Sequence, residues 1–330
     1  MLFQGKTVLV TGAAGFVGGA LSLRLVEEGA QVKALVHTPA KAAFLQDQPN
    51  IEVLTGDIKD AHPIMEAAQG CDFVFHVAAA TSGSFEHQRK VNVDGTRNVV
   101  EACIHAKVKR LVHISTLAVY GYKHENDITE ETPIDPGPDP YGISKAEGEA
   151  VVHEMSLQHD LSYSILRPGF IYGPRSGMWT GFMFKLARRK PLIFIGSGKG
   201  AAPAIYIDDL VELCLLAAMQ PGADRQAFNA TPDPAPTWRQ FLGAYSRLAG
   251  HQTWLGIPVW LVKGISLLAS FFSKQGSFLK YLPSLVDYTN HYINCKNSKA
   301  QRLLGWAPKV DLETGVHNCV PWLRYKGLLT

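Results

Sequence analysis

The sequence predicts a doubly wound α/β fold, a parallel sheet with helices on both faces, and three observations predict it. Short β-branched runs alternate with helical patterns through the first half of the chain. The runs are apolar on both sides, as strands of a doubly covered sheet must be. A glycine-rich turn joins the first run to the first helix. A chain of 330 residues also leaves room for a second, smaller unit. Hydrophobic residues at 46% and charged residues at 18% exclude a disordered chain. The formal charge of +3 carries no block of like sign, so no nucleic-acid partner is expected.

Taken in order, the strand candidates are residues 7–11, 32–36, 51–54, 73–77, 111–115 and 163–166. Helical spacing of apolar residues marks 16–28 and 91–105 between them. Beyond Arg175 the alternation breaks. A helical stretch at 179–189 leads through 191–195 to the turn Gly-Ser-Gly-Lys-Gly at 196–200. A run at 204–207 then enters a helix over 208–219, whose start Asp208 and Asp209 are expected to cap. The last third is mostly helical. This divides the chain into a dinucleotide-type unit, 1–177 with 204–231 returning to it, and a smaller helical substrate unit, 178–203 and 232–330.

Cys71, Cys103, Cys214, Cys295 and Cys319 are widely spaced and odd in number, which argues against a disulfide framework or a zinc site. No signal-peptide pattern opens the chain, and a cytoplasmic location is expected. The apolar stretch 254–272 is broken by Gly256, Pro258, Lys263 and Gly264, so it does not read as a membrane-spanning helix. His76, His113, His153 and His159 form no short ligand pair; no metal is expected.

Directly after the first strand stands Gly12-Ala13-Ala14-Gly15-Phe16-Val17-Gly18. Glycines at this spacing allow a tight turn, close approach of a pyrophosphate and close helix–strand packing, with the helix N-terminus facing the anion. The cradle is therefore Gly12, Ala14, Gly15, Phe16, Val17 and Gly18, the signature of a Rossmann dinucleotide site. At the end of the second strand an NAD binder usually carries an acid; here His37 follows Val36, with Lys41 beyond. Both could meet a 2′-phosphate or simply lie in solvent. NADP is the preferred cofactor on this reading, and NAD the alternative. Asp57, with Ile58, ends the third strand, where its carboxylate could accept from the adenine amine or cap the next helix.

Tyr141 and Lys145 lie four residues apart, on one face of a helix. A neighbouring ammonium favours phenolate and makes proton exchange with a substrate oxygen feasible. The fifth strand ends in Ser115-Thr116, at the carboxyl edge where open sheets bind ligands.

The motifs TGAAGFVG at 11–18, VNVDGTRNVVEAC at 91–103, ISTLAVYG at 114–121, YGISK at 141–145, LRPGFIYGP at 166–174 and IYIDDL at 205–210 together carry a specific likeness. The chain resembles the extended short-chain dehydrogenase/reductases, of the NAD-dependent epimerase/dehydratase and 3β-hydroxysteroid dehydrogenase or dihydroflavonol reductase type. The resemblance implies that Thr116 orients the substrate oxygen, Tyr141 is the general acid/base, and Lys145 binds the nicotinamide ribose and lowers the Tyr141 pKa. It places Ala78 and Ala79 along the cofactor and Pro168 to Ile171 beside the nicotinamide.

Leu117-Ala118 stand where the family's 4,6-dehydratases carry Asp-Glu, so dehydration is not expected. Ala201 to Ala204, and the stretch 288–294, lack the arginines that nucleotide-sugar enzymes of the family use on a diphosphate; Arg175 or Lys199 could compensate in part. Apolar stretches at 257–272 and 278–285 stand instead. The expected activity is therefore interconversion of a secondary alcohol and a ketone on a small hydrophobic, sterol-like or flavonoid-like molecule. A nucleotide-sugar 4-epimerase is the alternative, and a non-catalytic NADP-binding protein the third reading. The apolar stretch could also touch a membrane surface. A homodimer is expected through the helices bearing Val93, Val99, Val100, Cys103, Ile104, Ile143, Ala146, Ala150, Val151 and Met155.

Overall fold

A computed structural model describes residues 1–121, 127–272, 286 and 289–329. Strands β1 (Thr7–Thr11), β2 (Gln31–Val36), β3 (Ile51–Thr55), β4 (Phe73–His76), β5 (Arg110–Ile114) and β6 (Tyr163–Pro168) lie within a residue or two of the sequence expectation. Short strands β7 (Phe170–Tyr172), β8 (Leu192–Ile195) and β9 (Ala204–Tyr206) follow, then β10 (Gln226–Ala230) and β11 (Trp254–Ile257). The seven-stranded sheet runs β10-β6-β5-β4-β1-β2-β3, and every pairing in it is parallel. Strand order reverses between β1 and β4, which opens a crevice at their carboxyl ends. Two parallel pairs, β7–β9 and β8–β11, stand beside the sheet.

Helices α1 (Phe16–Glu27), α2 (Ala43–Gln46), α3 (Ala61–Ala68), α4 (Phe85–Arg89), α5 (Gly95–Ala106), α6 (Pro140–Gln158), α7 (Met183–Ala187) and α8 (Ile207–Met219) accompany these strands. After them come α9 (Trp238–Leu248), α10 (Val259–Phe271), α11 (Ser298–Leu304), α12 (Leu312–His317) and α13 (Val320–Tyr325). One core joins α1 and α8 to the sheet and continues through Phe241, Tyr245 and Trp306 into the C-terminal elements. The other face is packed by α3, α5 and α6 through Ile64, Val99, Val100, Cys103 and Val152.

Three expectations change here. Val93, Val99, Val100, Cys103 and Val151 are buried within the single chain, so they are not surplus surface for a partner. Asp208 and Asp209 do not cap α8, whose N-terminus has no side-chain cap. The Asp209 carboxylate accepts instead from the backbone N–H groups of Lys309 and Val310, at 2.8 and 3.2 Å, and ties the C-terminal elements to α8. The helix expected from residue 91 begins earlier, as α4, and reaches α5 through a π-helical turn at Lys90–Asp94. All five cysteines are free and buried. Among the described residues no helix is long and apolar enough to cross a membrane. The apolar stretch 278–285 lies outside the described residues.

Candidate active site

The turn after β1 is shaped by backbone crowding. Gly12 has φ +70°, and a side chain there would meet the Ala78 backbone at 2.8 Å. A Cβ on Gly18 would strike the Gly12 carbonyl, so helix and strand approach as only glycine permits. At Gly15 the opposite holds: a Cβ would meet only the Gly12 carbonyl, and the space beyond stays open. Helix α1 begins there with no side-chain cap and no acid in its first turn. Its first N–H groups have no intrahelical partner and face that space, between half-buried Ala14, Phe16 and Val17. An open cradle at an uncapped helix N-terminus fits the pyrophosphate of a dinucleotide.

The next wall is held by a chain of hydrogen bonds from Thr11. Its Oγ1 accepts from the Val77 and Ala78 N–H groups, both at 3.2 Å, so its proton goes to His76 Nδ1 at 2.8 Å. Thr96 donates its hydroxyl to the Asn92 carbonyl at 2.7 Å; His76 Nε2–H therefore donates to Thr96 Oγ1, at 3.0 Å. This fixes a neutral imidazole, and burial lowers its pKa to about 3. His76 is thus a structural spacer under Ala78 and Ala79. At the adenosine end, His37 and Lys41 are both exposed. His37 Nε2 lies 3.4 Å from Asp57 Oδ2, which also meets Lys59 Nζ at 3.2 Å. Asp57 does not cap α3; Asp60 does, accepting from the His62 N–H at 3.1 Å. Ile58 is buried beneath.

Thr116 follows β5, and its Oγ1 accepts from the Ala118 N–H at 3.2 Å, which holds the hydroxyl at the carboxyl edge. Helix α6 starts at the Asp139 carboxylate, which accepts from the Tyr141 and Gly142 N–H groups, each at 3.2 Å. Gly142 is required for contact: a Cβ there would meet the Ala118 carbonyl at 2.7 Å. The two elements bring the Tyr141 phenol near enough to Thr116 for that hydroxyl to draw its pKa down. Lys145, one turn along, is 1% exposed, and its Nζ lies 3.3 Å from His113 Nε2 on β5. A charged Lys145 can only donate there, so His113 carries its proton on Nδ1, which has no partner. The Ser115 hydroxyl is likewise buried and unpartnered. Pro168 ends β6, and Ile171 follows on β7, half-buried.

The model of the NAD-dependent epimerase/dehydratase family matches residues 8–230, the sheet and both halves of this site. The chain belongs to that family. Sterol demethylase protein B of Methylococcus capsulatus is 29% identical over 339 residues, covering 98% of this chain and 100% of that protein. UDP-glucose 4-epimerase of Mycolicibacterium smegmatis is 28% identical over 335 residues, covering 96% and 98%. A crystal structure of UDP-glucose 4-epimerase from Thermotoga maritima with UDP-glucose superposes with a TM-score of 0.78 at 24% identity, over 97% of this chain and 99% of that one. That likeness concerns the fold. The near-equal identities to a sterol enzyme and a sugar epimerase leave the substrate class to the site itself.

This family member is an NAD(P)-dependent enzyme of the short-chain dehydrogenase/reductase type, and its site departs from expectation in one respect. Tyr141 is not depressed by Lys145. Burial, together with the Asp139 carboxylate, pushes the phenol up to about 12, against a smaller downward pull from Thr116. Two residues that sequence reading left without a role organise the site. Asn92, in the π-helical turn, accepts from the Ala80 N–H at 2.8 Å and donates to the Ala80 carbonyl and to Ser144 Oγ, both at 2.9 Å. It couples the cofactor wall to α6. Its signal was a polar residue inside an apolar helix pattern, in a turn type that often marks function. His113 is the other, legible only once β5 and α6 are known to touch.

Lys145 gives a pH-dependent expectation. Burial lowers its pKa from 10.5 to about 8, with Glu149 opposing. Between those values the unfolded chain binds the extra proton, so stability rises with pH across that window and carries the full penalty below it. Lys145→Met is expected to raise stability near neutral pH by about 2 kcal/mol, the shift less the cost of leaving His113 Nε2 unpaired. It should also flatten the rise. Denaturant unfolding at a series of pH values reads both; a wild-type profile already flat above pH 8 would remove the buried-cation account.

Proposed function

We propose that this family member interconverts a secondary alcohol and a ketone on a small hydrophobic molecule. The observation that carries the reading is the surface beyond the carboxyl end of β6. Phe170 stacks on Trp179 with ring centroids 4.1 Å apart, and Trp238 closes on both at 5.2 and 6.3 Å. All three rings are half-buried. The segment facing them in the chain's second half, Ala201 to Ala204, is buried and uncharged. Of the cations that could have met a diphosphate, Arg175 lies over the Phe44 ring at 3.5 Å, against α1, and Lys199 is exposed. Apolar walls with few polar groups suit an apolar ligand and leave a diphosphate uncompensated.

A bound nicotinamide supplies or accepts the hydride in such a reaction. The chain's own residues then do three things. Thr116 holds the substrate oxygen by its hydroxyl. Tyr141 delivers or removes the proton at that oxygen. Lys145 stays beside the neutral His113 imidazole and offers its remaining ammonium protons to the ribose. Turnover measured over a panel of hydrophobic ketones and alcohols alongside nucleotide sugars tests the reading: exclusive turnover of a UDP-sugar, with thermal stabilisation by UDP, overturns it. The sequence similarity to a UDP-glucose 4-epimerase makes that the rival worth including.

For the cofactor we propose NADP. The support is the missing acid after β2 and the exposed His37 and Lys41 beside it, with Lys59 offsetting Asp57. His37→Asp is expected to move the NADP-to-NAD affinity ratio toward NAD by about tenfold or more, since one charge-assisted hydrogen bond is gained and one lost. Titration of both dinucleotides against wild type and variant checks it; equal wild-type affinities would defeat the preference.

A further inference from the structure

Strand β5 alternates between two cores. Leu111 packs with α3, α5 and α6, whereas Val112 and Ile114 belong to the opposite face, so His113 stands on the α6 side with Leu111. An apolar ring would complete such a position. The imidazole is fully buried, leaves its Nδ1–H without a partner, and sets Nε2 3.3 Å from Lys145 Nζ. An unmet buried donor is destabilising, so packing alone does not account for the ring. Its neighbours hold it in place. His76, its register partner on β4, lies against it with ring centroids 5.1 Å apart, and Thr11 and Thr96 fix His76 at both nitrogens. Burial first, then the Lys145 charge, keeps His113 neutral, so Nε2 stays available as an acceptor. The carboxylate one turn along α6, Glu149, is taken by Arg167. An ammonium has three protons. With one spent on His113, two remain for a ligand, and a nicotinamide ribose presents two neighbouring hydroxyls.

We infer that His113 is a positioning residue of this enzyme, one that takes a single Lys145 proton on Nε2 and thereby aims the other two at the nicotinamide ribose. The inference rests on the reading that Lys145 meets that ribose, and it needs no knowledge of the substrate. Titration of NAD and NADP into wild type, His113→Phe, His113→Gln, Lys145→Met and Lys145→Met/His113→Phe is the experiment, with the unfolding midpoint of each. His113→Phe keeps a ring and removes the acceptor, and is expected to weaken dinucleotide binding by about tenfold or more. His113→Gln, whose amide oxygen reaches the place of Nε2, should recover most of that loss. Because His113 acts through Lys145, His113→Phe should weaken binding no further in the Lys145→Met background. Where the Phe ring does not fit, His113→Met, the size of Gln without its acceptor, repeats the comparison. A ring that merely packs would weaken binding equally in both backgrounds and would not be rescued by Gln; either result overturns the inference. So does wild-type affinity in a folded His113→Phe. Wild-type affinity in Lys145→Met would instead defeat the ribose reading, and the inference with it.

Discussion

Tyr141→Phe is expected to lower turnover by about two to four orders of magnitude while dinucleotide affinity stays near that of wild type. The phenol is an acidic hydroxyl that the structure sets near Thr116, and the substitution removes that hydroxyl while keeping the ring. With its pKa pushed up to about 12, Tyr141 holds its proton through the neutral range. It therefore acts first as an acid, donating to a carbonyl oxygen that gains negative charge. Running the reaction toward the ketone demands that the proton leave, and that direction should accelerate as pH rises. Measured with whichever ketone the substrate panel identifies, the forward rate should be flat into the alkaline range and the reverse rate should climb. Unchanged turnover in Tyr141→Phe would take the residue out of the reaction; an unchanged reverse profile would mean that Lys145 leaves His113 and depresses the phenol once the site is full.

That last alternative shows what the sequence could and could not say. Spacing alone put Tyr141 and Lys145 on one face of a helix, and both lie on α6. Which neighbour each side chain chooses depends on strands far away in the chain. His113 on β5 takes Lys145, and Asn92 reaches across to Ser144. Neither partner is within reach of a local pattern.

The same division runs through the fold. Strands β1 to β6 were legible because each is a continuous β-branched run closed by a turn. The later pairs β7–β9 and β8–β11 are strands of three or four residues, and they pair across long stretches of chain. Trp254–Ile257 in particular reads as part of one apolar tract with α10, and only its pairing to Leu192–Ile195 separates the two. Asp208 and Asp209 misled for a related reason. Acids at a helix start usually serve that helix, whereas Asp209 was taken by Lys309 and Val310, a hundred residues on. The π-helical turn at Asn92 broke the expected register of the helix from residue 91.

A single substitution at Arg167 is expected to cost about 3–5 kcal/mol of stability, the largest structural effect that the site's surroundings carry. Arg167 on β6 and Glu149 on α6 are 6 and 3% exposed. The guanidinium donates from Nε to both carboxylate oxygens at 3.0 and 3.2 Å and from Nη2 to Oε2 at 2.6 Å. Its Nη1 donates to the Tyr120 hydroxyl at 2.7 Å, which donates on to Asn229 Oδ1 at 2.8 Å on β10. Asn229 in turn donates to the Lys296 carbonyl at 3.1 Å, so one chain of bonds pins α6, and with it Tyr141 and Lys145, to β6, the turn at Tyr120, β10 and the segment at Lys296. Removing one charge of a dry pair leaves the other without solvent or partner, and that desolvation is the greater part of the cost. Arg167→Met and Glu149→Leu should therefore each unfold at much lower denaturant, while Arg167→Met/Glu149→Leu together should recover most of the loss. The coupling in that double-mutant cycle is expected at more than about 2 kcal/mol. Additive losses would mean that water reaches the pair, and that α6 is held to the sheet by its apolar face through Val152 rather than by Glu149.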